Sequence, residues 1–280
     1  MTSIQQALAD AAAALAESDS PRLDAEVLLA HVLERPRSYL YTWPDRELSA
    51  EQGSRFLGLV ERRATGTPVA HLTGRREFWS LDLEVTPDTL IPRPDTETLV
   101  AVALELLPAQ APAAVADLGT GSGAIALALA HERPDWQVVA VDRSALALTV
   151  ARRNSLRLGL VKVYPVLGDW CAALASDRFH LIACNPPSVA ADDAHLRHGD
   201  VLHEPRSALA AGSDGLDDLR RIIPAARRCL RAGGWLALEH GYDQAPAVRA
   251  LLEQAGYDTI DSRTDLAGQA RVTTARRTSR

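Results

Sequence analysis

The chain predicts an α/β protein in two parts: a small helical bundle, then a mostly parallel sheet covered by helices on both faces. Three observations carry this. The first ~75 residues repeat apolar side chains at helical spacing, with capping signals between the repeats. From Ala113 onward, short apolar runs alternate with helical segments, the pattern of parallel strands joined by crossover helices. Between these parts, Ile91-Pro92-Arg93-Pro94 cannot be helical, because a residue before proline is pushed to extended geometry. The boundaries fall at 1–75 for the helical domain, 76–92 for a β-hairpin linker and 93–280 for the sheet domain. A length of 280 residues fits about two domains.

Each element has its own signal. Ile4, Leu8, Ala11 and Leu15 mark a first helix. Ser20-Pro21 reads as an N-cap followed by proline at N1, opening a second helix with Leu23, Val27, Leu28, Ala30 and Val32. Ser49 caps a third, carrying Phe56, Leu57, Leu59 and Val60. Phe78, Trp79, Leu81, Leu83 and Val85 predict extended chain, with a turn at Thr86-Pro87-Asp88. Asp95 or Thr96 starts a helix through Leu107. Strands are expected at Ala113–Asp117, Gln137–Asp142, Val161–Leu167, Phe179–Asn185, Trp235–Glu239, Tyr257–Ser262 and Arg271–Ala275. Helices are expected around Ala124–His131, Ala145–Leu158 and Leu216–Leu230, with Gly233-Gly234 as a tight helix-to-strand turn.

Composition narrows the function classes. The chain is 47% apolar and 24% charged, ordinary for a globular protein, with a formal charge of −6 that argues against a general nucleic-acid binder. The positive tail of Arg271, Arg276, Arg277 and Arg280 reads as a frayed, solvated end. Cys171, Cys184 and Cys229 have no zinc spacing and suit a reducing cytosol rather than a disulfide framework. Neither a secretory signal nor an uninterrupted apolar run of about 18 residues is present, so a cytoplasmic protein without membrane contact is expected.

The chemistry concentrates at strand ends. Two prolines stop the Phe179–Cys184 run sharply and deliver Asn185 to the carboxyl end of a sheet, where open α/β folds keep their ligands. The carboxamide oxygen of Asn185 can accept from an N–H group, which suits a substrate whose reacting atom is an amino or amide nitrogen. Asp117-Leu118-Gly119-Thr120-Gly121-Ser122-Gly123 follows the first strand and opens a helix. A dinucleotide loop and a loop for S-adenosylmethionine compete for this stretch. The G-x-G-x-G spacing favours S-adenosylmethionine, as does Asp117, which repels a pyrophosphate but attracts the methionine ammonium. Asp142, ending the second strand, is placed to accept both ribose hydroxyls; a helix N-cap or a solvated loop charge is the plain alternative. After the third strand, Asp169 would accept from the adenine amino group and Trp170 would flank the ring, or else serve as a core anchor.

His195, His198 and His203, with Asp192, Asp193, Asp200 and Glu204, fit no helical zinc motif, so no metal is expected and a loop touching a protein substrate is the better reading. No serine sits in a G-x-S-x-G elbow. Arg93, Asp95 and Glu97 would line the edge of the site or simply cap and pair.

Over nearly its full length the chain resembles the protein-(glutamine-N5) methyltransferases that modify bacterial peptide-chain release factors. The resemblance rests on Ala70-His71-Leu72-Thr73-Gly74, Arg76-Glu77-Phe78-Trp79 and Leu90-Ile91-Pro92-Arg93-Pro94-Asp95-Thr96-Glu97. It continues through Asp117 to Gly123, Asp142, Asp169-Trp170, Asn185-Pro186-Pro187, and Glu204-Pro205 with Ala208-Leu209. It implies a Rossmann-like, seven-stranded S-adenosylmethionine-dependent methyltransferase domain, with S-adenosylhomocysteine as product. It also implies an N-terminal helical domain that recognises the release factor, and the glutamine of a Gly-Gly-Gln loop as substrate. Asn185 and Pro186 would then carry the catalytic contacts, and Pro187 and Ser188 would complete the substrate site. Ser188 departs from the family, which has an aromatic, usually Tyr, at that position; Leu202 and His203 depart from its usual Arg-Phe, and Leu266 to Arg271 is only loosely similar. A weakened turnover with nearly intact cofactor binding is expected. An amino methyltransferase acting on adenine, and an impaired cofactor-dependent binder of the release factor, are the two alternatives.

Overall fold

The computed structural model describes residues 2–197 and 199–278, and the chain divides into two compact units. One comprises the chain up to Arg75 together with Gly199–His203, and the other the remainder from Arg76. Among the described residues no helix is long and apolar enough to cross a membrane.

The first unit holds α1 (Ile4–Ala14), α2 (Pro21–Leu33), α3 (Arg37–Thr42), α4 (Ala50–Ala64) and α5 (Val69–Thr73). Ile4, Leu8, Ala11 and Leu15 are all buried, as their spacing requires. Ser49 forms a complete capping box with Gln52. Ser20 does not cap α2; its hydroxyl instead donates to Asp24 Oδ1 at 3.0 Å. Leu23 and Leu57 are 43% and 57% exposed, against expectation. The buried face of α2 runs through Ala25, Leu28, Leu29 and Val32, and that of α4 through Phe56 and Val60, so Leu23 falls about 120° or more off its stripe and Leu57 about 60° beyond Val60. The short α3 and α5 were not anticipated, since neither is long enough to display a period.

The second unit begins at Arg76, one residue into the hairpin of β1 (Arg75–Phe78) and β2 (Leu81–Glu84). Its tip is Trp79-Ser80, both residues at positive φ of 52° and 58°. Such a turn favours Asn-Gly, so the sequence conceals it. Neighbours hold it in place: the Trp79 N–H donates to Glu97 Oε1 and the indole N–H to Glu132 Oε1, each at 2.8 Å. The Thr86-Pro87-Asp88 turn is also present, closed by Thr89 N donating to Thr86 O. A 3-10 turn at Pro94–Thr96 leads into α6 (Glu97–Glu105), which stops two residues short of the expected Leu107.

The remaining elements are β3 (Ala114–Leu118), α7 (Ala124–Glu132), β4 (Gln137–Asp142), α8 (Ala145–Leu158), β5 (Val163–Leu167), β6 (Phe179–Cys184), α9 (Asp217–Cys229), β7 (Leu230–Glu239), α10 (Ala245–Gln254), β8 (Tyr257–Thr264) and β9 (Ala270–Arg277). They build a seven-stranded sheet in the order β5-β4-β3-β6-β7-β9-β8. The first five strands are parallel, and β9 runs antiparallel to both of its neighbours. Along β6, Leu181 and Ala183 join the core under α6 and α7, whereas Phe179, Ile182 and Cys184 join the core under α9 and α10. A strand buried on both faces reads as an unbroken apolar run, which is why this one was legible.

Three expectations need correction. Gly233-Gly234 is not a helix-to-strand turn: α9 passes straight into β7 at Leu230, and the pair sits inside β7 where its register with β6 shifts. A Cβ on Gly234 would lie 2.9 Å from the Phe179 carbonyl oxygen. Val161 and Lys162 precede β5, with Val161 76% exposed. The basic tail is not frayed: Arg271 pairs with Asp265 and Asp95, Arg276 donates to the Gly233 carbonyl, and Arg277 pairs with Asp177. Arg280 lies outside the described residues, as does His198.

Candidate active site

Strand register assembles the site. Leu118 of β3 is level with Cys184 of β6 and Val141 of β4; Asp142 is level with Leu167, and Cys184 with Leu238 of β7. The residues that follow, Gly119, Asn185, Gly168 and Glu239, therefore line up with Asp142 along one carboxyl edge. From β3 the chain proceeds outward through β4 and β5, and from β6 through β7 on the other side. The crevice between β3 and β6 is the switch point where such sheets bind ligands. An open cleft lies there. Its walls include Gly119, Gly121, Asp142, Asp169, Trp170, Asn185 and Pro187.

The glycine loop forms one wall. Gly119 N and Thr120 N both donate to the Val141 carbonyl at 2.9 Å. Gly119 has φ 73°, and a Cβ there would stand 3.1 Å from the Trp170 ring, so only glycine lets the loop and the indole meet. Thr120, Ser122 and Gly123 build the loop but do not line the cleft. The Thr120 hydroxyl donates to Asp117 Oδ2 (2.6 Å), the Ser122 carbonyl accepts from Asn154 Nδ2 (2.9 Å), and Gly123 caps α7.

Asp117 is fully buried. Its Oδ2 accepts from Thr120 and from the Ala126 N–H at 3.1 Å, while Oδ1 has no partner among the described residues. Burial pushes its pKa up to about 7, the two hydrogen bonds restrain the rise, and the neighbouring Asp142 adds to it. A buried carboxylate with one open oxygen is suited to a cation. Asp142 combines the alternatives weighed for it: Oδ1 accepts from Ser144 N (2.8 Å) and Oδ2 from Gly121 N (2.9 Å), yet the residue lines the cleft. Each oxygen keeps a lone pair for a donor. Trp170 also serves two ends, packing on the core under α9 while lining the cleft, with its indole N–H donating to Asp218 Oδ1 at 3.2 Å. Asp169 lines the cleft and pairs with Arg221.

Asn185 stands just past the end of β6. Its Nδ2 donates to the Thr96 hydroxyl (3.0 Å), and that hydroxyl donates to Glu239 Oε1 (3.2 Å). Pro186 and Pro187 are buried, and only Pro187 lines the cleft. Ser188 is held by its backbone, its N–H donating to the Leu209 carbonyl and its carbonyl accepting from Gln244 Nε2. Neither Pro186 nor Ser188 forms part of the cleft wall.

The arginine and acids of the Ile91–Glu97 segment do not line the cleft. Arg93 pairs with the buried Glu204 at 2.6 Å, Asp95 with Arg271 at 3.4 Å, and Glu97 receives the Trp79 N–H. Sequence reasoning missed several contributors instead. Asp88, Thr89 and Leu90 form one rim, and Pro205, Ser207 and Ala208 another, with Arg143 donating to the Ser207 carbonyl at 3.1 Å. Asn154, fully buried in α8, clasps both the Glu84 backbone and the Ser122 carbonyl. Its only sequence signal is an amide placed within a helical apolar pattern. Thr96 and Glu239 carried no signal of their own.

Comparison with known proteins agrees with this architecture. The PrmC N-terminal domain model matches residues 6–74, and the methyltransferase small domain model matches residues 95–212. The release factor glutamine methyltransferase of Pseudomonas aeruginosa is 53% identical over 273 residues, 98% of each chain. That of Escherichia coli is 47% identical over 272 residues, 97% of this chain and 98% of the relative. Among solved structures, a methyltransferase from Pyrococcus furiosus aligns with a TM-score of 0.54 at 16% identity, covering 78% of this chain and 97% of that one. The ribosomal protein L11 methylase of Lactobacillus delbrueckii subsp. bulgaricus aligns with a TM-score of 0.52 at 22% identity, covering 69% and 84%. These two likenesses establish the fold alone. The end-to-end identity with the curated relatives goes further, and the chain belongs to the release factor glutamine methyltransferase family.

Proposed function

We propose that this protein transfers a methyl group from S-adenosylmethionine to the side-chain amide nitrogen (N5) of the glutamine in the Gly-Gly-Gln loop of peptide chain release factors. Release factors are its protein partners, and the cytoplasm is its compartment. The observation that carries the reading is the carboxamide of Asn185, anchored through Nδ2 at the rim of a cleft whose other wall is the glycine loop.

The residues present fit the cofactor. Asp142 would suit its ribose hydroxyls and Trp170 with Asp169 its adenine; Asp117 is fully buried and outside the cleft lining, and its open Oδ1 would suit the ammonium. Gly119 and Gly121 leave the wall free of side chains. When bound, S-adenosylmethionine supplies a methyl group made electrophilic by the adjoining sulfonium.

The protein's task is then to prepare a poor nucleophile. An amide nitrogen has its lone pair delocalised into the carbonyl, and it carries two hydrogens. Asn185 Oδ1, at the cleft, and the Pro186 carbonyl, from a buried residue outside its lining, would accept those hydrogens and turn the out-of-plane face of the nitrogen toward the methyl. The Pro186 carbonyl accepts no backbone hydrogen bond among the described residues, which leaves it available. Positioning of this kind contributes several kcal/mol, up to roughly 7–11 in ideal cases. The same oxygens stabilise positive charge developing on nitrogen. No strong base would be required, because the proton would pass to water after the new C–N bond has formed and the C–S bond of the sulfonium has broken.

Transfer of tritiated methyl to purified release factor, with an adenine-containing oligonucleotide in parallel, tests the reading. One added methyl mapped by mass spectrometry to the glutamine is the expected result. Labelling of the oligonucleotide alone would move the assignment to the nucleobase alternative, and tight binding without labelling to the impaired binder.

A further inference from the structure

Asn185 has a symmetry problem. Its carboxamide is nearly two-fold in shape, and a half-turn about the last side-chain bond exchanges an acceptor for a donor at almost no steric cost. Only one of the two orientations faces the substrate amide with an oxygen. In the other, the NH2 group of Asn185 meets the NH2 group of the substrate, donor against donor. Some part of the protein has to select the orientation.

Two residues outside the cleft wall supply the selection. Thr96 is buried, 5% exposed, and lies in the 3-10 turn ahead of α6. Glu239 is the last residue of β7, 8% exposed, and register sets it beside Asn185. A threonine hydroxyl has one hydrogen to give. It is given to Glu239 Oε1, at 3.2 Å, so Thr96 turns only lone pairs toward Asn185 at 3.0 Å. The group of Asn185 that meets lone pairs must be its NH2, and the oxygen opposite must face the other way. We infer that Thr96 and Glu239 are positioning residues for methyl transfer, a two-step key in which Glu239 orients the Thr96 hydroxyl and Thr96 locks the Asn185 carboxamide with Oδ1 toward the substrate. The inference rests on the glutamine-methylating reading above.

Glu239 is well suited to this task. Its Oε2 is buried without a hydrogen-bond partner among the described residues, and its Oε1 accepts from the Thr96 hydroxyl. In its ionised form Glu239 only accepts, and such an acceptor fixes the direction of every bond downstream of it. A glutamine in its place could present either an oxygen or an NH2 group to Thr96, and the direction would be lost.

The experiment compares the native chain with Thr96→Val, Thr96→Ser and Glu239→Gln in single-site methylation of purified release factor. Melting temperature and the Kd for S-adenosylhomocysteine are measured alongside. Thr96→Val keeps the shape and removes the hydroxyl; its kcat should fall about tenfold, the cost of leaving a buried amide without its partner. KM for the release factor and the Kd for S-adenosylhomocysteine should stay within about twofold, and Thr96→Ser should regain most of the lost turnover. Glu239→Gln should lose about threefold in kcat with the same split, since part of its population still accepts. A native kcat in Thr96→Val overturns the inference. So does a loss of cofactor affinity in step with turnover, or a failure of serine to restore it, because either marks a merely structural role. If Thr96→Val does not fold, Glu239→Gln decides by the same criteria. Absence of glutamine methylation by the native chain would remove the functional reading and this inference together, whereas an active native chain with insensitive variants removes only the inference.

Discussion

Glu26 in α2 and Asp117 at the end of β3 are both buried carboxylates, 2% and 0% exposed, yet they end in opposite electrostatic states. Burial raises the pKa of Glu26, but hydrogen bonds from Tyr41, Arg37 and Arg22 outweigh it and leave the group below its usual value. Arg22 and Arg37 reach its two oxygens at 2.8 and 2.7 Å. Among the described residues no arginine pairs with Asp117; burial dominates and lifts it to about 7, with Oδ1 left open. Glu204 belongs with Glu26, its side chain fully buried and paired with Arg93. Glu239 belongs with Asp117, lifted by burial to about 7 with Oε2 open, the Thr96 hydroxyl and Arg271 restraining the rise. The difference separates two uses of a buried acid. One closed by arginine cations holds the fold, and one left open beside a cleft is poised for a ligand or for orienting a neighbour.

Substitutions at the cleft should break this division most severely. Asn185→Ala removes the acceptor proposed for the reacting nitrogen, and kcat should fall about 100-fold or more while the Kd for S-adenosylmethionine changes little. Methyl transfer measured beside calorimetry checks both halves. Asp117→Asn removes the charge proposed to face the cofactor ammonium and should weaken S-adenosylmethionine binding by roughly 10- to 150-fold, the range for a hydrogen bond to a charged group. The same variant should unfold at a higher temperature than the native apo chain, because a buried carboxylate without a cation is costly. Equal losses of affinity and stability would contradict the division.

Acidity sharpens the comparison. Asp117 must be ionised to hold a cation, so affinity for S-adenosylmethionine should weaken about tenfold per unit as pH falls below about 7. Apo stability responds in the opposite sense at this residue. Its raised pKa means that the native state holds the proton more tightly than the unfolded chain, so Asp117 ceases to destabilise as pH falls from about 7 toward 3.8. For Glu26 the lowered pKa gives stability present above 4.5 and lost as pH falls below it. Titrating melting temperature in the native chain, in Asp117→Asn and in Glu26→Gln separates the two slopes.

Glu26→Gln should cost about 1–2 kcal/mol of stability, since Arg22 and Arg37 are half exposed and can return to water. Cofactor affinity should not change. The smallest expected effect is a gain. Ser188→Tyr restores the aromatic that the family resemblance leads one to expect against the flat amide, worth about 0.5–1.5 kcal/mol, hence very roughly 2- to 12-fold in turnover. An unaltered single-turnover rate in that variant would mean that Ser188 does not limit the reaction.

The sequence by itself determined whatever depends on local pattern. Alternating strands and helices, the glycine bend after β3, Asp142 at a strand end and the proline stop behind Asn185 are all one-dimensional signals, because period, turn chemistry and strand termination act over a few residues. Tertiary structure alone decided how polar groups are spent. Arg93, Asp95 and Glu97 looked available and are consumed by Glu204, Arg271 and the Trp79 turn, partners up to more than a hundred residues away. Thr96, Asn154 and Glu239 looked ordinary and converge on the site from three separate elements. Hydrogen bonds saturate: one hydrogen satisfies one acceptor, and which acceptor it meets is set by strand register and burial across the sheet, long-range facts that no local window contains.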